Sequence, residues 1–116
     1  MGMNVTRTPP KVVTVQTAKL DTSALGATAI VAAPASADVS IRVLQVVIVA
    51  AAANTVNLQS TTTTANKTAL YALAANGGLV LPFCEHGWFQ CTAGEGLSIN
   101  LSAATAVGIT IQYMIL

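Results

Sequence analysis

Along most of this chain apolar and polar residues alternate one by one, the period of a strand whose two faces meet different surroundings. The pattern is cleanest near the C-terminus. Val107, Ile109, Ile111, Tyr113 and Ile115 oppose Gly108, Thr110 and Gln112 in a predicted strand over 105–116. Just before it, Leu97, Ile99 and Leu101 alternate with Ser98, Asn100 and Ser102. Over 54–60, Val56 and Leu58 point inward and Asn57 and Gln59 outward. Residues 11–20 also alternate, Val13-Val15-Thr17 against Val12-Thr14-Gln16, with a turn expected at Asp21-Thr22-Ser23. Shorter strands are predicted over 26–33, 79–83 and 88–93, and over 68–75, where a helical turn through Leu70 and Leu73 competes. Punctuation falls between them: Pro34 to Asp38, Asn76-Gly77-Gly78 and Gly94-Glu95-Gly96 are turn signals.

The exception to simple alternation is the stretch 38–50, DVSIRVLQVVIVA. Val39, Ile41 and Val43 start on one face, with Ser40 and Arg42 on the other; then Leu44, Val46 and Ile48 make the second face apolar too, and Gln45 interrupts the first. β-Branched residues dominate, which suits a pleated surface. Read by strict alternation, this strand is buried on both sides at its later end. The chain's own second sheet would cover one side and another copy of the protein the other. Arg42, Leu44, Gln45, Val46 and Ile48 are therefore the candidate oligomer interface.

Eight or nine short strands with regularly spaced turns predict an all-β protein, an antiparallel sandwich or barrel. Eight strands in two four-stranded sheets would be the jelly-roll arrangement. Residues 1–10 end in Pro9-Pro10, which cannot pair in a ladder, and read as an N-terminal arm before a single domain over 11–116. Arg7, Pro9, Pro10 and Lys11 are the residues expected to carry arm contacts with a larger assembly.

Composition sharpens this picture. Of the 116 residues only 8% are charged and 53% are hydrophobic, and the net charge is +1. Ordinary soluble domains carry about 25% charged residues; a surface with so few favours association. Five cations, Arg7, Lys11, Lys19, Arg42 and Lys67, form no basic stripe, so no nucleic-acid partner is expected. The longest apolar run, near 43–53, falls short of the ~20 residues of a spanning helix and contains Gln45, so no membrane partner is expected either.

Candidate chemistry is sparse. Cys84, His86 and Cys91, with Glu85, are the only local set with metal-ligand character, but the cysteines lie seven apart and lack the close pairing of a structural zinc site. A Cys84–Cys91 disulfide would fit neighbouring strands; reduced, partly buried thiols are the reading preferred for a cytosolic product. Glu85 and His86 are adjacent, so on an extended chain they point apart and do not form a base with its orienting carboxylate. No catalytic residue, metal or cofactor is assigned, and no enzyme is expected. Tyr71, Trp88 and Phe89 are assigned as aromatic anchors of core and interface, ahead of a sugar-stacking platform. The Thr61–Thr64 run reads as a solvated loop.

In IRVLQVVIVA (41–50), NTVNLQS (54–60), LAANGGLVLPF (73–83), GWFQCTAGEGLSINLS (87–102) and AVGITIQYMI (106–115), the chain resembles small structural proteins of tailed-bacteriophage virions. The resemblance implies a β-sandwich or jelly-roll unit, often trimeric, that decorates heads or forms parts of tails and fibres. It leads to the expectation of a capsid decoration (cement) protein: a homotrimer on the virion head surface, made in the host cytoplasm and bound to the major capsid protein. The alternative is a trimeric tail-fibre or receptor-binding module that recognises host glycan through Trp88 or the threonine-rich loop.

Overall fold

The period-2 segments of the sequence fold into strands, and their apolar faces meet between two sheets. The computed structural model describes residues 14–116. The arm residues Arg7, Pro9, Pro10 and Lys11, and the first residues of the strand predicted from Lys11, lie outside the described residues. Among the described residues there are nine strands in order: β1 (Gln16–Thr22), β2 (Gly26–Val31), β3 (Ile41–Ala50), β4 (Asn54–Ser60), β5 (Tyr71–Leu73), β6 (Gly78–Leu81), β7 (Phe89–Gln90), β8 (Leu97–Leu101) and β9 (Val107–Ile115). One sheet runs β1-β9-β3-β6, with β7 also paired to β3, and the other runs β2-β8-β4-β5. Every pairing is antiparallel. Sandwich packing of this kind buries one face of each strand and leaves the other outward.

The core follows the alternation. Val56 and Leu58 of β4, Leu97, Ile99 and Leu101 of β8, and Val107, Ile109, Ile111 and Tyr113 of β9 are buried together. The ambiguous segment at 68–75 contributes the short strand β5, in which Leu73 is buried and Tyr71 packs against the core. Several boundaries differ from the expectation. Asp21 and Thr22 continue β1, pairing with Gly108 and Val107, so the turn begins at Ser23. The ladder with β9 extends that strand beyond the local polar signal. β6 ends at Leu81, before Pro82, whose ring nitrogen has no hydrogen to donate.

The central strand is corrected more deeply. β3 is not buried on both faces. Opposite β9, Val43 pairs with Tyr113 and Gln45 with Gln112, so Leu44 is an extra residue in a β-bulge. The bulge shifts the strand's phase by one. Ile41, Val43, Val46, Ile48 and Ala50 consequently all belong to the core, while Arg42, Gln45, Val47 and Val49 share the outer face. The apparent second apolar face is the same face displaced by one residue. Leu44 is itself buried.

Candidate assembly surface

The outer face of the β1-β9-β3-β6 sheet is built by the register of its ladders. Asp21, Gly108, Val49 and Gly78 stand side by side in one row across the four strands. Two residues further along, Lys19, Thr110, Val47 and Val80 form the next row. Beyond them come Thr17, Gln112 and Gln45. Val49 and Val80 are 53% and 60% exposed, in positions where a solvent-facing strand ordinarily carries polar side chains. Two shallow grooves of about 370 and 300 Å³ lie on this face. Both are lined by Asp21, Val49 and Gly108. Gly108 is what keeps the floor low: a Cβ there would stand 3.0 Å from the Asp21 carboxylate.

Toward the β7 end the surface becomes aromatic. Phe83 and Trp88 are exposed. The Trp88 indole donates through Nε1 to the Pro82 carbonyl at 2.8 Å, and the Trp88 backbone N–H bonds the Val43 carbonyl, so the ring is held while half of it remains in solvent. Arg42 lies across Gly87, where a Cβ would approach its Cγ to 2.5 Å. Its guanidinium donates to the Gln90 side-chain oxygen from Nε and Nη2, at 3.3 and 3.1 Å.

The candidate residues therefore separate. Arg42 and Gln45 are on the outer face, available for contact. Leu44, Val46 and Ile48 are not, because each is at most 1% exposed within the subunit itself. The bulge at Leu44 turns Val46 and Ile48 inward, where strict alternation would set them on the outer face. Of the aromatic anchors, Tyr71 and Phe89 pack on the core while Trp88 faces outward. Cys84 and Cys91 are both free thiols. Their backbone N–H groups bond the carbonyls of Leu44 and Ile41, three positions apart on β3, at 2.9 and 2.8 Å. That places them roughly 10 Å apart along the strand, beyond the ~7 Å reach of a disulfide. Burial pushes the Cys91 thiol above its ordinary pKa, the Ser60 hydroxyl opposing that shift. Among the described residues no group of three His, Cys, Asp or Glu side chains is placed to hold a metal.

The other sheet carries polar features that the alternation did not reveal. The loop after β4 folds back along it, with Lys67 N–H bonded to the Leu58 carbonyl and Leu58 N–H to the Thr68 hydroxyl. Asn66 Oδ1 accepts from the side-chain amides of Asn57 and Gln59, at 2.7 and 2.9 Å, and Asn57 in turn accepts from Asn100 at 3.1 Å. Asn57, expected to face solvent, is thereby covered. Glu95 is also buried, and its carboxylate accepts from the Thr62 and Thr63 N–H groups at 2.9 and 2.6 Å and from the Thr63 hydroxyl at 3.2 Å. These donors, the Thr63 N–H foremost, hold the Glu95 carboxyl below its usual pKa. The threonine run is thus tied down at the Thr62 and Thr63 N–H groups and the Thr63 hydroxyl, although Thr62, Thr63 and Thr64 as residues remain exposed. In the sequence the one sign of this is a glutamate flanked by two glycines, the first of which takes a positive φ in the fold.

No family model matches the chain, and no curated protein does. A solved structure of Bacillus endospore appendages, described as a novel family of disulfide-linked pili, is similar in fold. Its TM-score is 0.58 at 15% identity, over 99% of this chain and 96% of that one. At that identity the likeness is one of fold.

Proposed function

We propose that this chain is a structural subunit of a repeated assembly, a capsid decoration protein of the tailed-bacteriophage kind. The observation that carries the proposal is the outer face just described. A chain with 8% charged residues presents Val47, Val49 and Val80 on one sheet face and Phe83 and Trp88 nearby, an apolar surface suited to lasting contact with protein. The strand orders β1-β9-β3-β6 and β2-β8-β4-β5 support reading the sandwich as a jelly roll, each sheet interleaving early and late strands as two Greek keys do. In this reading a homotrimer sits on the head surface, and the N-terminal arm meets the major capsid protein. Each copy contributes a modest contact, and repetition over the lattice multiplies it.

A second reading, a polymerising appendage subunit, draws on the fold likeness to the Bacillus endospore pili. The glycan-binding fibre module draws on the held and exposed ring of Trp88. Purified protein viewed by negative-stain electron microscopy, with sedimentation at micromolar concentration, separates these. Discrete small oligomers that bind capsid lattices support decoration. Filaments support the appendage. A lone monomer at all concentrations that binds a glycan array overturns the decoration reading.

A further inference from the structure

The two central rows on the outer face of the β1-β9-β3-β6 sheet are complementary to each other, position by position. In order across the strands, one row reads Asp21, Gly108, Val49, Gly78 and the next reads Lys19, Thr110, Val47, Val80. Consider a second copy laid face to face on this sheet, related by a two-fold axis that crosses the strands level with Leu20 and Ile109. That operation turns each strand over onto its own counterpart and exchanges the two rows. Asp21 then meets Lys19 of the second copy. Gly108, which has no side chain, meets Thr110 of the second copy. Val49 meets Val47, and Gly78 meets Val80. Opposite charges, an apolar pair and two small-against-larger pairs all fall into register at once.

We infer that this face is a two-fold contact between copies of the chain, with Val47 and Val49 at its centre and reciprocal Lys19–Asp21 pairs at its β1 rim. The inference rests on the assembly reading above and names the surface through which one class of contact forms. Face-packed sheets stand about 10 Å apart, a distance that apolar side chains from both sides fill by interdigitation. The grooves floored by Gly108 are the spaces that Thr110 of the second copy would enter. Isologous contacts need this kind of self-complementarity, since each residue is used twice.

The size of the patch sets its strength. Four strands about 4.8 Å apart and five residues of about 3.3 Å each cover on the order of 300 Å² per copy. A stable pair buries about 800 Å² per partner. The contact is therefore reversible on its own and becomes durable where other contacts repeat it, independently of any three-fold arrangement.

The test is sedimentation equilibrium of the full chain from about 10 µM to 1 mM, with thermal unfolding as a check on each variant. Val49 is exposed, so V49K is expected to fold normally and to weaken pairing by about tenfold or more in Kd. K19D and D21K each set like charges against each other and are expected to weaken pairing by up to about tenfold. The double variant K19D/D21K restores opposite charges across the axis and is expected to recover most of the affinity, which a merely structural role for either residue would not produce. If the wild-type chain associates while all four variants keep its Kd within twofold, this surface is not the contact, and another partner or the N-terminal arm covers it. If the wild-type chain stays monomeric to 1 mM, the two-fold contact and the self-assembly reading both fall.

Discussion

Glu95 is the residue whose environment departs furthest from what its type suggests. The flanking glycines mark a turn, yet the carboxylate between them is buried and organises the threonine loop through two backbone N–H groups and a hydroxyl. Hydrogen bonds to an ionised acceptor are stronger than neutral ones, which is why a carboxylate suits this position. Its pKa is lowered in the folded chain, so the sign of the pH effect follows. The stabilisation is complete above the unfolded value, near 4.5, and is lost as pH falls through the lower folded value. E95Q is expected to lower the melting temperature at pH 7, and the gap from wild type should narrow at pH 3. A constant gap across that range would assign the effect to shape instead of charge. The neighbouring Cys91 thiol is pushed upward by burial, away from that acid window.

At the scale of elements, β3 shows how one inserted residue misleads a parity count. Side-chain direction in a strand has period two, so an extra residue exchanges inside and outside for everything after it. Leu44 does this between Val43 and Gln45, and no turn residue or glycine in IRVLQVVIVA announces it. β4, β8 and β9 contain no such insertion between their alternating residues, and there the inward and outward sets follow directly from the sequence. Close approach between elements is the other quantity the alternation omits. The turn before β8 passes against the exit of β2, and a Cβ on Gly96 would collide with the Val31 carbonyl oxygen and stand 2.8 Å from the Ala33 nitrogen. Both neighbours are backbone and cannot rotate away. G96A is therefore expected to destabilise the fold by about 2 kcal/mol, in the range of other overpacking substitutions, measured as a lower urea midpoint. An unchanged midpoint would mean that the β2 exit yields freely.

For the whole molecule, the two cysteines give a compact check on the architecture. Cys91 is buried in the core and Cys84 is half-buried on the connection between β6 and β7, too far along β3 to be joined. In the native protein one thiol is expected to react promptly with a thiol-specific chromogenic reagent, and the second only after denaturant is added. Loss of both native thiols, recovered by reductant, would instead require a rearranged β6–β7 connection. The two central outer rows across β1, β9, β3 and β6 belong to this same scale, since the pairing inferred between them exists only once four strands are aligned. By itself the sequence determined the strand class, most strand positions and the inward residues of β4, β8 and β9, because period-two burial is a local property of an extended chain. The tertiary structure alone decided the phase of β3, the pairing order of the sheets, the burial of Asn57 and Glu95, and the neighbours of Lys19 and Asp21. Each of those depends on which distant segment lies alongside, and hydrogen-bond register between strands is not written in the spacing of residues along one of them.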